Sequence, residues 1–397
     1  MIPTLSSTVS SISDRPTARV SAALAGEHAK GGWIFGVVAK RTYVVAGGAC
    51  YPHPEQAPLV EEPELNEDGL LSHDTDLKLQ RADVDVIVEG HAYAHGPERS
   101  FLASVTTDGF RRQVAVVGDR QLQVHANGQR RFSPAGSAEQ IPLTWQRAYG
   151  GTDHASMKAK SLPMIDFFEQ TVDAEDAREV LFTYPRNPHG VGYVITAKQR
   201  TAEPQALPNF EEPSQLLTSD NIERGDLLRW PTGPVVAGMG WLGYDFFPRG
   251  AQLGLPFCFY DGDAIKPHHF FEVAGGWLKP SAVSPDTMFQ ERLDVRVAQS
   301  AALGMRASEI QPGALIELCH LHPREKRWRF RLPAHPPRVA FRLPGTRAAE
   351  LTTRIRTLHL EPDLNRVTVV WVGETQPGLP VMVNALEQVE HGVVWNE

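Results

Sequence analysis

Cysteine is scarce in this chain: Cys50, Cys258 and Cys319 stand far apart and are odd in number among 397 residues. That excludes a disulfide-stapled framework and suits a reducing compartment. Long apolar runs are missing, so nothing reads as a membrane span. The segment from Met1 to Pro16 is rich in Ser and Thr, without the basic start or apolar stretch of a signal peptide. The expected location is therefore the cytoplasm. Positive charge is also in deficit. Lys and Arg number 39 against 47 Asp and Glu, a formal net charge of −8. This argues against a nucleic-acid binder, whose affinity rests on neutralising phosphates.

Signatures of chemistry are lacking too. No Gly-x-Ser-x-Gly elbow supplies an acyl-hydrolase nucleophile. Neither Gly150-Gly151 nor Gly190-Val191-Gly192 is followed by the Lys-Ser/Thr of a phosphate loop, and both read as turn glycines. His268-His269 and Cys319-His320-Leu321-His322 lack the paired spacing of a zinc site. On a strand, His320 and His322 would share a face with Ile316 and Leu318; they read as structural or surface histidines. The three thiols read as small buried hydrophobes. No catalytic, cofactor-binding or metal-ligating residue is assigned, and no cofactor is expected.

What the chain does have is 33 glycines and 31 prolines, a composition that favours many short elements joined by turns. Met1 to Arg19 reads as a flexible tail. Trp33 to Val45 is β-branched and aromatic, which predicts a buried strand. Glu55 to Asp76 holds eight carboxylates and no Lys or Arg, and reads as a solvated connection; the sharper alternative is an acidic docking loop. In Ala82 to Val88, Val84, Val86 and Val88 alternate with Asp83 and Asp85, which predicts a half-buried strand.

Phe101 to Thr107 is another strand. Gln113 to Val117 and Leu122 to Val124, around Gly118-Asp119-Arg120, predict a hairpin within an antiparallel meander. Lys158 to Tyr184 reads as an insert with a short helix over Asp173 to Val180, and Asp286 to Leu303 as partly helical. Ala314 to Leu321, Trp328 to Leu332, Arg354 to Leu360 and Val367 to Trp371 return to strand patterns, with a turn at Asp363 to Arg366. Pro380 to His391 predicts a closing helix ended by Gly392. The fold class is mainly β, an antiparallel sandwich or distorted barrel with short helices in inserts. One domain spans 20–391, with two lobes, 20–250 and 251–391, as an option.

Three glycine-and-ring stretches organise the chain: Ile141 to Asp153, containing Trp145, Arg147, Tyr149, Gly150, Gly151 and Asp153; Asn187 to Tyr193, containing Pro188, Gly190 and Gly192; and Leu207 to Glu211, containing Pro208 and Asn209. Rings beside glycines suggest aromatics packed on bare backbone in turns that need positive φ. Arg147, Asp153, Arg186 and Asn187 read as braces of those turns through side-chain-to-backbone hydrogen bonds. The rival reading makes Arg147, Asp153 and Asn187 the site of a hydrolase or a carbohydrate-binding enzyme.

Together with Val37 to Tyr43, Ala82 to Ala92, Val117 to Arg120, Pro312 to Pro323 and Leu360 to Trp371, these stretches resemble, in order, the bacterial domain of unknown function 2169. The resemblance implies a non-enzymatic adaptor or chaperone that accompanies type VI secretion. Its partners would be a secreted effector and the spike with its PAAR-like cap, and the motif residues would be structural or partner-binding. A structural subunit of the secretion tip is a further alternative.

Overall fold

The computed structural model describes residues 20–27, 33–79, 81, 83–158, 179, 182–197, 204–225, 227–243, 246, 260–261, 264–265, 300–343, 347–375 and 389–395. The architecture is mainly β, a large curled mixed sheet forming a half-barrel, with very few helices. Its twelve strands are β1 (Ser21–Glu27), β2 (Trp33–Ala46), β3 (Ala49–Pro52), β4 (Val84–Val88), β5 (Ser100–Thr107) and β6 (Phe110–Val117). They continue with β7 (Phe210–Glu211), β8 (Arg306–Ala307), β9 (Leu315–Cys319), β10 (Arg327–Arg331), β11 (Thr353–Glu361) and β12 (Arg366–Glu374). The spatial order is β7-β6-β5-β9-β10-β3-β2-β12-β11-β4-β8, with β1 added to β2. Strands from either side of residue 250 thus interleave in one sheet.

The predicted strands are present, but their partners differ from a meander. Gln121–Val124 does follow β6, yet it leaves the large sheet and pairs with Arg130–Phe132 and Gln205–Ala206. The expected hairpin around Gly118 is therefore replaced by another. β5 and β6 pair in full register across Asp108-Gly109, where Gly109 takes φ 73°, the Asp-Gly chemistry of a tight turn. Two pairings are parallel, β4 with β11 and β10 with β3, so the sheet is mixed.

β4 is buried along its whole length rather than on one face. It is flanked by β11 and β8, and Asp85 is covered because it is matched: Arg81 Nη1 lies 3.1 Å from Oδ2, and the N–H groups of Ser300 and Ala301 donate to its two oxygens. Alternating charge signalled solvent, but a paired charge can be buried.

The acidic segment is split in the same way. Glu61, Glu62, Glu64, Glu67 and Asp68 are exposed around a small hairpin, Glu64–Leu65 with Leu71–His73. Asp74 and Asp76 are buried, Asp76 2.8 Å from Lys40 Nζ and Asp74 paired with Lys78. The segment is thus a clamp at its end. Leu59 covers the face of β2 and β12 formed by Val38, Val370 and Val372, with Leu77 and Leu79 packed beside it. The opposite face, Phe35 and Val37, is covered by Val339, Phe341 and Leu351 of a three-stranded sheet. That sheet has Arg338–Arg342 between Ala349–Leu351 and Glu390–Val394. Glu390 and His391 are therefore strand, not the end of a helix, and Gly392 sits opposite Ala340 in the ladder.

Residues 376–388, 159–178 and 286–299, the tail 1–19 and the His268-His269 pair lie outside the described residues, and with them most of each helix expected there; Glu179, in the helix expected over Asp173 to Val180, is helical. Ala301 bridges Trp241 in β fashion. His320 and His322 also depart from expectation, because β9 ends at Cys319. His320 takes φ 58° with Nδ1 2.7 Å from Tyr93 O, while His322 stacks on Trp328. Asn365, at φ 50°, turns the chain between β11 and β12 as predicted.

Candidate functional site

The three glycine-and-ring stretches meet at one junction. Trp145–Arg147 forms a single 3-10 turn, then Tyr149–Gly150 pairs in parallel with Val191–Gly192. The main chain is tied across all three stretches: Val191 N donates to Ala148 O (3.0 Å), Tyr193 N to Gly150 O (3.0 Å) and Asn209 N to Arg147 O (2.8 Å). Asn209 O in turn accepts from Val117 N, which hangs the junction on the end of β6. Gly151 has φ 82°, and a Cβ there would run into the Gly190 carbonyl, so neither the conformation nor the space admits another residue. Pro208 packs its Cδ against Gly192, and Pro188 sits in the turn by which Asn187 O accepts from Gly190 N.

The rings fill the centre. Tyr149, Tyr184 and Tyr193 are buried; Tyr149 meets Tyr184 edge-on at 5.0 Å, and Tyr184 lies 5.1 Å from Tyr193. Tyr184 Oη donates to Pro234 O (2.8 Å), whereas Tyr149 Oη has no hydrogen-bond partner among the described residues. Burial pushes both phenols above their ordinary range, so both stay protonated. Trp145 donates from Nε1 to Trp241 O (2.6 Å) and lies over Gly238, where any side chain would strike the indole.

The polar residues are braces. Asn187 Nδ2 donates to Trp145 O (2.9 Å) and Tyr149 O (3.2 Å), and its Oδ1 accepts from His189 N (3.3 Å). Asp153 is buried, accepting from Ser156 N, Ser156 Oγ and Ile195 N. Arg147 Nη1 donates to Asp119 Oδ1 (2.9 Å) and Asn209 Oδ1 (3.1 Å), nearer the surface. Arg186 lies over the Trp230 ring. The structure thus brings all twelve motif residues into one knot, but does not converge Arg147, Asp153 and Asn187 on a common point. The space beside Trp145, Phe210 and Met239 is about 10 Å³, room for one water.

A family model described as "Uncharacterized protein conserved in bacteria (DUF2169)" matches residues 30–372. The chain belongs to this family. In DUF2169 terms, the match runs from just before β2 almost to the end of β12, so it takes in the glycine junction and every strand of the central sheet except β1. No curated protein and no solved structure matches. Among the described residues, no helix is long and apolar enough to cross a membrane.

Sequence reading missed a second grouping at one end of this DUF2169 sheet. Glu89 follows β4, and His359 and Glu361 project from the same face of β11; their ligand atoms lie within 4.8 Å of one another. His359 Nε2 is 2.6 Å from Glu89 Oε2, and Arg366 grips both oxygens of Glu361. Burial raises the Glu361 carboxyl, but Arg366 and His359 outweigh it and hold the group below the usual carboxylate range. The only signal in the sequence was the alternate spacing of His359 and Glu361, since Glu89 is distant in the chain and the parallel pairing that joins them is non-local.

Proposed function

We propose that this DUF2169 protein is a non-catalytic adaptor of the bacterial cytoplasm that holds a type VI secretion effector and delivers it to the spike and its PAAR-like cap. The observation that carries the binding part of this reading is an open face of the sheet. On β10, Trp328 and Phe330 point inward while Arg327, Arg329 and Arg331 point outward. Leu315 is in register with Arg331, and Ala49 with Arg331 on the other side. Alternation then puts Tyr51, Leu315 and Leu102 on this same outer face, and they are 54%, 38% and 47% exposed. Aromatic and aliphatic groups among arginines are the composition of a protein-binding surface.

The rigid glycine junction suits the same role, as a support rather than a reaction centre. The enzyme reading depended on Arg147, Asp153 and Asn187, two of which are buried and all of which brace loops. The secretion context rests on the family resemblance. Affinity purification of the tagged chain from its native bacterium tests it: an effector encoded nearby should co-purify, and its delivery should fail when the adaptor gene is deleted. Unchanged effector abundance and delivery in the deletion strain would refute the reading. Recovery of the chain itself in the secreted fraction would favour a tip subunit.

A further inference from the structure

The geometry points to a divalent transition-metal site at Glu89, His359 and Glu361, independent of the adaptor reading. One imidazole nitrogen and two carboxylates converge within 4.8 Å, close enough for a single ion to touch all three. The grouping is assembled by backbone rather than by mobile side chains. β4 and β11 run parallel with Leu360 opposite Val88, and Glu89 N donates to Leu360 O (3.0 Å), which sets Glu89 beside Glu361. His359 and Glu361 are two residues apart on one strand and so share a face.

The surroundings are those of a ligand set. Arg366 forks onto Glu361 through Nε (2.6 Å) and Nη2, fixing its plane while leaving lone pairs for a cation. Trp241 and His73 wall the inner side, their ring centroids each 5.6 Å from that of His359. Glu89 is only half-buried, which leaves a route for the ion. A mixed set of one nitrogen and two oxygens suits Zn²⁺, Mn²⁺ or Co²⁺ better than Ca²⁺ or Mg²⁺, which favour oxygen alone. Bound there, the ion would cross-link the ends of β4 and β11.

The experiment uses the full chain, stripped with chelator and titrated with zinc, manganese and cobalt chlorides by calorimetry, with cobalt also followed by visible absorption. The expected result is saturable binding of about one ion per chain for at least one metal, with cobalt bands altered by ligation to imidazole. His359→Ala should abolish that binding, Arg366→Gln should weaken it about tenfold, and His125→Ala, at an exposed position elsewhere, should leave it unchanged. Should His359→Ala fail to fold by circular dichroism, Glu89→Gln, nearly the same shape, takes its place. Absence of saturable binding in the wild-type chain, or binding that survives the ligand substitution, would overturn the assignment.

Discussion

The carboxylate of Asp153 accepts the main-chain N–H of Ile195 at 2.8 Å, fastening a loop to a segment 42 residues further along the chain. The same side chain also receives Ser156 N and Oγ, and it is fully buried. Asp153→Ala would leave three donors without that acceptor. An expected loss of about 3 kcal/mol follows from the desolvation of unmatched buried donors. Urea unfolding checks it, and a loss under about 1 kcal/mol would contradict the role.

Two glycines with similar backbone angles separate conformation from space. A Cβ added at Gly47 (φ 57°) would meet nothing within 4 Å, whereas at Gly151 (φ 82°) the Gly190 carbonyl is in the way. Gly47→Ala should cost about 1 kcal/mol, the penalty of a left-handed Ala. Gly151→Ala should cost about 3 kcal/mol or more, since overlap with backbone is added. Thermal melts of the two variants side by side give the comparison; equal shifts would deny the close approach.

The outer face of β3, β10, β9 and β5 should be separable from stability. Leu315→Ser with Tyr51→Ser is expected to change unfolding free energy by no more than about 0.5 kcal/mol, as for exposed positions generally. Arg329→Ala removes an exposed pair with Glu317, whose own contribution is small. Capture of the effector should nevertheless fall sharply in all of these variants, measured by co-purification. Retained capture would move the docking surface elsewhere.

Acid should weaken the clamp at the end of the acidic segment. Burial pushes the Asp76 carboxyl up, but His73 and Lys40 outweigh it and the group titrates below its ordinary range. A depressed folded-state pKa gives stability that is present above the unfolded value of about 3.9 and lost as pH falls through the folded one. Unfolding free energy should therefore drop below about pH 4. Asp76→Asn should flatten part of that drop while lowering stability at neutral pH. Urea titrations at several pH values read both effects.

Much of this arrangement was legible from residues alone. Apolar, β-branched runs marked β2 and β12, because strands buried on both faces need no alternation, while β10 showed itself by the alternation of Trp328 and Phe330 with arginines. Asparagine and aspartate marked the turn at Asn365. What escaped was pairing. Gly118 followed by Asp119 looked like a hairpin, yet Gly118 sits against the backbone of Gly136 and the chain moves to another sheet. Asp85 looked solvent-facing because its partners, Arg81 and the amides of Ser300 and Ala301, include groups more than two hundred residues away. At the junction, the residue types were readable as braces, while the convergence of residues 145–153, 187–195 and 207–211 depended on the same distant pairing.

The long antiparallel match of β2 with β12 sets Gly36 against Glu374 and Val44 against Arg366. While a ribosome is still making the chain, the middle strand of the sheet has no neighbour on that side until more than three hundred further residues have been added. Closure is thus a late event, and a nascent β2 with its unsatisfied edge is the segment most in need of protection from premature association.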